Sequence, residues 1–205
     1  WSASSATSTS SEPCGTSVRT SRAMSERPKD TLAAEMTALL GMVDWSPEDV
    51  TLLGGSWSAI APVAEELVAR FYQAVERDPE AAQILGNNDH RAGLRRSLLR
   101  WLEALFAGPF DGGYLARAQA IGRTHVRVGL PQRQMMLAMH HLRRGLHDRL
   151  DETYPAGEAQ RRRAAVDRIL DVELAITASA YVAESHEAEL AAMRDLVVAH
   201  LPIKA

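Results

Sequence analysis

From Thr31 onward, apolar residues recur at intervals of three and four, and no stretch shows a sustained alternation of apolar and polar residues. Intervals of three and four place side chains on one face of an α-helix, whereas alternation is typical of a half-buried strand. Glycine, proline, asparagine and aspartate interrupt the pattern near residues 54–55, 78–79, 87–89, 108–113, 129–131 and 155–157. The sequence therefore predicts an all-α chain of about seven helices.

The composition divides the chain into a tail and one domain. Residues 1–29 are dominated by Ser, Thr, Arg and Pro, so they cannot bury enough apolar surface to offset the conformational entropy of ordering. We predict a disordered N-terminal tail there. The alternative is that the residues before Met24 are an extension, because the segment that begins at Met24 resembles a translation start. Residues 30–205 are long enough for one domain whose core surrounds a cofactor.

Charge and hydropathy exclude some partners. The formal net charge of −3 argues against broad recognition of phosphate backbones, so we expect no nucleic-acid partner. No apolar run approaches the length of a membrane span, and the N-terminus lacks the hydrophobic centre of a secretory signal. The single cysteine, Cys14, agrees with a reducing compartment. We expect a cytoplasmic protein with no membrane partner.

The segment YLARAQAIGRTHVRVGLP, residues 114–131, predicts a helix that ends in a sharp corner. Gly129 can adopt the left-handed conformation that ends a helix, and Pro131 suits the first turn of the next helix. The inward face of the first helix consists of Tyr114, Ala118, Ile121 and His125. From spacing alone, an inward-facing histidine is favoured by roughly three to one to be a core residue whose ring nitrogens are hydrogen-bonded by protein groups, rather than a metal ligand.

The alternative for His125 is a metal ligand. Structural zinc needs four protein ligands and catalytic zinc usually three, and no Cys or carboxylate lies one turn away on the same face. Haem supplies four ligands itself, so the protein has to provide only an axial nitrogen and an apolar slot. A single inward histidine is therefore compatible with haem rather than with zinc.

Two further helices carry apolar stripes. The first includes Tyr72, whose hydroxyl needs a partner; a nearby carbonyl is favoured by about two to one, and a bound gas molecule is the alternative. The second could cover a flat apolar ligand, although each leucine taken singly is more often an ordinary core residue. The stripes are Val63, Leu67, Val68, Phe71, Tyr72 and Val75, and then Leu94, Leu98, Trp101, Leu102 and Leu105. After the corner, Met135, Met136, Met139, Leu142, Leu146 and Leu150 are predicted to face a core.

The segments FYQAVERDPEAAQIL, RWLEALFAGPFDGGY and IGRTHVRVGLPQR, the last followed by MMLAMH, resemble the sensor globin of globin-coupled sensors over residues 31–191. The resemblance implies a globin-like fold with an extra N-terminal helix, haem b as the cofactor, His125 as the proximal iron ligand and Tyr72 as the distal residue for the gas ligand. The other expected pocket residues are Val68, Phe71, Leu94, Leu98, Trp101, Ile121, Val128 and Met135. The chain departs from the family at Gln134 and Met135, where relatives usually have an aromatic residue.

The last helix, predicted over residues 158–199, has apolar residues on more than one side, so one face must meet something outside its own domain. A second copy is the simplest partner, with the last two helices of each chain forming a dimeric four-helix bundle. In the family this bundle passes a signal to an output domain, such as a kinase or a cyclase. No output domain follows here, which suggests an excised module or a stand-alone sensor.

The sequence thus predicts a haem-based sensor of O2, with CO and NO as further ligands, that binds rather than catalyses. One alternative is a haem-free globin-fold dimer for stress signalling or scaffolding, in which His125 only packs. Another is a haem enzyme, a globin NO dioxygenase or a peroxidase, which ranks lower because no general acid pair is evident.

Overall fold

The computed structural model describes residues 28–200, and this part of the chain contains eight α-helices, one short 3-10 helix and no strand. The helices are α1 Pro28–Met42, α2 Pro47–Ile60, α3 Ala64–Val75, α4 Pro79–Leu85, α5 Asn88–Ala107, α6 Gly112–Arg127, α7 Gln132–Thr153 and α8 Ala156–His200, and the 3-10 helix is Ala61–Val63. The all-α prediction is confirmed. Almost all of the predicted N-terminal tail, including Cys14, lies outside the described residues.

Short polar side chains start the helices at most of the predicted breaks. Asp78 accepts hydrogen bonds from two backbone N–H groups at the start of α4, Asn87 accepts one at the start of α5, and Asp111 accepts one at the start of α6. These side chains satisfy N–H groups that have no partner within the helix. At the start of α2, the Asp49 carboxylate accepts from both the N–H and the hydroxyl of Ser46, at 2.8 and 2.9 Å.

The predicted break at Gly54 and Gly55 is wrong, because α2 runs through both residues. The Arg162 guanidinium of α8 donates to the Leu52 carbonyl and to the Ser56 hydroxyl, each at 2.9 Å. A β-carbon at position 55 would lie 3.3 Å from this guanidinium. Gly55 therefore allows Arg162 of α8 to approach α2 closely, and it does not end α2.

The long helix α8 lies at the centre of the packing. It packs against α6, α7 and α2, while α1 lies mainly on α6 and α3 packs on α7 and α5. The residues that α8 contributes to the core are Ala165, Val166, Ile169, Leu170, Val172 and Ile176. Because α5 packs on α2 and α3 while α6 packs on α1 and α8, a cleft is left between α5 and α6.

The prediction that both Met135 and Met136 face the core is wrong for one of the two. Met136, predicted to face the core, has 48% of its surface exposed, while Met135 beside it is buried. Neighbouring positions on a helix point about 100° apart, so only one of the two methionines can face inward.

Within residues 28–200, no helix is long and apolar enough to cross a membrane.

The contact between α6 and α8 depends on Gly122. A β-carbon there would lie 2.8 Å from the β-carbon of Ala180 and 3.2 Å from the Thr177 carbonyl oxygen, which is backbone and cannot rotate away. We expect Gly122→Ala to lower the free energy of unfolding by about 1–3 kcal/mol, because the helices must separate.

Gly54→Ala is the matched control, since a β-carbon at that position of α2 meets nothing within 4 Å. Alanine in a helix interior restricts the unfolded chain, so this variant should be more stable by about 0.5–1 kcal/mol. Urea denaturation of both variants measures the difference. Equal stabilities would contradict the close packing of α6 on α8.

Candidate functional site

His125 lies in the last turn of α6, directly before a tightly bonded corner. Gly129 has a positive φ of 72°, and the Leu130 N–H donates to the His125 carbonyl at 3.0 Å. The Tyr181 hydroxyl of α8 donates to the Leu130 carbonyl at 2.9 Å. The predicted corner is therefore present and is held by the long helix, with Pro131 directly before α7.

The His125 imidazole has no protein partner within the described residues. Its Nδ1 atom is buried without a hydrogen bond, and no hydrogen bond to the other ring nitrogen is found. Burial lowers the pKa of His125, because the charged form loses its hydration. At neutral pH the ring is therefore uncharged and keeps a lone pair.

Tyr72 lies in a separate apolar cluster, which we call the distal cluster. It consists of Val68, Tyr72 and Leu85, surrounded by Phe71, Val75, Leu94, Leu98 and Leu99. The rings of Phe71 and Tyr72 meet edge to face at 5.1 Å. Burial raises the pKa of Tyr72 to about 12, and Arg95 opposes this shift only in part. The hydroxyl thus stays protonated over the physiological range, and we find no hydrogen bond from it to the rest of the described protein.

A cleft of about 200 Å³ opens between α5, α6 and α8. Its lining residues are Ser97, Arg100, Trp101, Ala104, Tyr114, Arg117, Ala118, Ile121 and Glu173. Ile121 lies one turn from His125 on the same face of α6, so the cleft runs along the helical face that carries the imidazole.

The sequence model of the Protoglobin family matches residues 32–187 of this chain. The chain belongs to the protoglobin family. Its structure is similar to the globin domain of the Geobacter sulfurreducens globin-coupled sensor, with 31% sequence identity, a TM-score of 0.68, and coverage of 71% of this chain and 97% of the other. Both findings confirm the resemblance to sensor globins and the globin-like fold.

Two structures of the Escherichia coli DosC globin domain are also similar. The ferric form has 20% identity, a TM-score of 0.59, and coverage of 73% of this chain and 99% of that one. The ferrous form has 22% identity, a TM-score of 0.58, and coverage of 72% and 97%. These two likenesses support the fold alone. No curated protein matches the chain.

Within this protoglobin, the residues expected at the pocket fall into three groups. The distal cluster brings together Val68, Phe71, Tyr72, Leu94 and Leu98. Trp101 and Ile121 line the cleft. Met135 is buried but belongs to neither set, and Val128, at the end of α6, is 47% exposed. Trp101 of α5 and Ile121 of α6 thus line the same cleft, the distal cluster is a separate group from α3, α4 and α5, and Val128 lies at the surface.

Gln134 occupies the position where the resemblance leads us to expect an aromatic residue. Its side-chain amide donates to Asp78 at 2.8 Å and to Glu80 at 3.0 Å. Arg133 forms an ion pair with the same Glu80 at 2.9 Å. These polar contacts join the start of α7 to the start of α4. The corner after His125 is therefore held by α4 as well as by Tyr181 of α8.

Sequence reasoning missed Glu173, which lies on α8 at the floor of the cleft and is only 5% exposed. The signal was present, since Glu173 follows Ile169 by four positions and precedes Ile176 by three, and both of these are core residues. A carboxylate on that face must be buried with them. Burial raises the pKa of Glu173, although Tyr114, Trp101 and Arg117 oppose the shift.

The raised pKa predicts a pH-dependent effect of Glu173→Gln. A carboxyl group whose folded-state pKa lies above its unfolded value destabilises the fold increasingly as pH rises above the unfolded value. The glutamine variant cannot ionise, so its stability relative to wild type should increase from pH 4.5 upward. Urea denaturation at pH 5 and pH 8 measures this difference. A difference that stays constant with pH, or that falls, would show that Glu173 is not the buried acid described here.

Proposed function

We propose that this protoglobin is a haem-binding gas-sensor globin that responds to O2. The observation that carries the proposal is the unpartnered, uncharged imidazole of His125 beside a braced corner. A buried polar group without a partner destabilises a fold, so its presence is explained by a ligand that uses it. The similarity to the globin domain of a globin-coupled sensor supports this reading.

The residues present fit haem b as the cofactor. His125 offers a neutral imidazole with a lone pair, which is the form that binds iron. Trp101 of α5 and Ile121 of α6 supply apolar walls to the cleft, and Leu94 and Leu98 of the same helix α5 belong to the apolar distal cluster that holds Tyr72. When bound, haem would supply an iron atom that binds diatomic gases.

Tyr72 is the distal donor in this proposal. Its hydroxyl has no hydrogen bond to the described protein, and its raised pKa keeps the proton in place. A donor held in apolar surroundings favours O2 over CO, because O2 accepts the stronger hydrogen bond when bound. NO and CO are further ligands of the same site.

Signal transfer would start at the corner. The Tyr181 hydroxyl joins the Leu130 carbonyl to α8, and Gly122 allows α6 to touch α8 directly. A displacement of His125 would therefore be transmitted to α8 through this hydrogen bond and this helix contact. Exposed apolar residues on α8, namely Val182, Leu190 and Met193, offer part of a surface for a homodimer through α7 and α8.

The domain would thus bind a gas and transmit a signal in the cytoplasm rather than catalyse, and its output partner would be a kinase or a cyclase. The proposal is tested on the haem-loaded, reduced protein by absorption spectroscopy. Exposure to O2 and to CO should each shift the Soret band reversibly. A spectrum that no gas changes would contradict the gas-sensor proposal.

A further inference from the structure

The cleft between α5, α6 and α8 contains buried polar groups that the proposed sensor mechanism does not use. The Tyr114 hydroxyl is buried and has no hydrogen bond of good geometry, although it faces the Glu173 carboxyl. The Glu173 carboxyl is buried beside it, close to Trp101 and Arg117. A buried hydroxyl without a well-placed hydrogen bond is unfavourable, so the position of Tyr114 on the floor of an open cleft points to a ligand with polar atoms.

The mouth of the cleft is positively charged. Arg100 and Arg117 line it, and in the described part of the chain neither forms an ion pair with a carboxylate. Arg100 donates to the Ser97 hydroxyl at 3.1 Å, and the Arg117 guanidinium lies 5.8 Å from the centre of the Tyr114 ring. Many arginines elsewhere are paired, such as Arg143 and Arg168. Two guanidinium groups at one opening, neither within ion-pair distance of a carboxylate of the described residues, favour an anionic ligand.

The floor of the cleft carries one acid against the two arginines of the mouth. Burial raises the pKa of Glu173, because the charged form loses its hydration. The remaining walls are apolar, formed by Trp101, Ala104, Ala118 and Ile121. The cleft therefore combines donors for an anion with surface for an apolar body.

We propose that Arg100 and Arg117 bind a carboxylate carried on an apolar body that lies in this cleft. A haem propionate has this chemistry, and Ile121 places the cleft one turn from His125; in that form the inference rests on the proposed function. A free organic acid has the same chemistry and is the other source. The two arginines are binding and positioning residues for the ligand.

The test compares hemin with hemin dimethyl ester, which has the same macrocycle but no carboxylate. The full chain, prepared without haem, is titrated with each compound, and the Soret band reports binding. In the Arg100→Gln/Arg117→Gln variant we expect hemin affinity to fall about tenfold and ester affinity to stay unchanged. Arg123→Gln, which removes an exposed arginine of α6 outside the cleft, is the matched control and should change neither affinity.

A second arm distinguishes the sources of the carboxylate. If the double variant binds hemin as wild type does, both proteins are titrated with dodecanoate. Dodecanoate binding that is present in wild type and lost in the variant would assign the site to a free organic acid. If neither porphyrin binds wild type, the proposed function fails, and the dodecanoate titration of the chain alone decides the inference. Unchanged hemin affinity together with no loss of dodecanoate binding overturns it.

Discussion

Replacing His125 by alanine should abolish stable haem binding. The substitution removes the only imidazole on the inward face of α6, and the apolar walls alone provide no axial nitrogen. We expect haem affinity to fall on the order of 100-fold or more, because a direct iron ligand contributes more than the supporting groups around it. Haem content after purification and the rate of haem transfer to a scavenger protein measure the loss.

Two controls separate ligand loss from unfolding in this experiment. His140→Ala removes an exposed histidine of α7 and should leave haem content unchanged. Imidazole added to His125→Gly should restore a haem spectrum, because the free base can enter the space left by the ring. A His125→Ala protein with the helicity and the haem spectrum of wild type would show that another residue holds the iron.

Replacing Tyr72 by phenylalanine should keep haem but speed the loss of O2. The substitution removes one hydroxyl from the distal cluster and leaves the apolar packing of the ring with Phe71 and Leu85. A hydrogen bond to a partly charged acceptor contributes about 1.5–3 kcal/mol, which corresponds to roughly a 10- to 100-fold increase in the O2 dissociation rate. CO dissociation should change much less.

The matched control for Tyr72 is Tyr154→Phe. It also removes one tyrosine hydroxyl, which donates to the Gly55 carbonyl away from the cleft. Stopped-flow measurement of O2 and CO dissociation compares the three proteins, and Tyr154→Phe should match wild type in both rates. An O2 rate that Tyr72→Phe leaves unchanged would exclude the hydroxyl as the distal donor.

The local parts of the site could be predicted from sequence. The corner after His125 follows from Gly129 and Pro131, whose effects on the backbone depend on few neighbours, and the inward direction of the imidazole follows from helical spacing. Most of the predicted distal residues also lie together, because one stripe on α3 and one on α5 can meet in only a few ways.

The parts that sequence could not supply depend on contacts between distant segments. Gly55 reads as a helix break until Arg162, more than a hundred residues later, is seen to approach it. The spacing of Glu173 from Ile169 and Ile176 indicates a shared face, but only the packing of α8 against α6 shows that this face is buried beside Tyr114. The two methionines at 135 and 136 are equivalent in a pattern, and only packing shows that the second is exposed.

Haem binding through His125 is tested by titrating the purified, haem-free chain with hemin and following the Soret band. We expect saturation at one hemin per chain, with a spectrum typical of histidine-ligated haem that is lost in His125→Ala. A chain that takes up no hemin, or one that takes it up equally well without the imidazole, would show that His125 does not hold a haem iron.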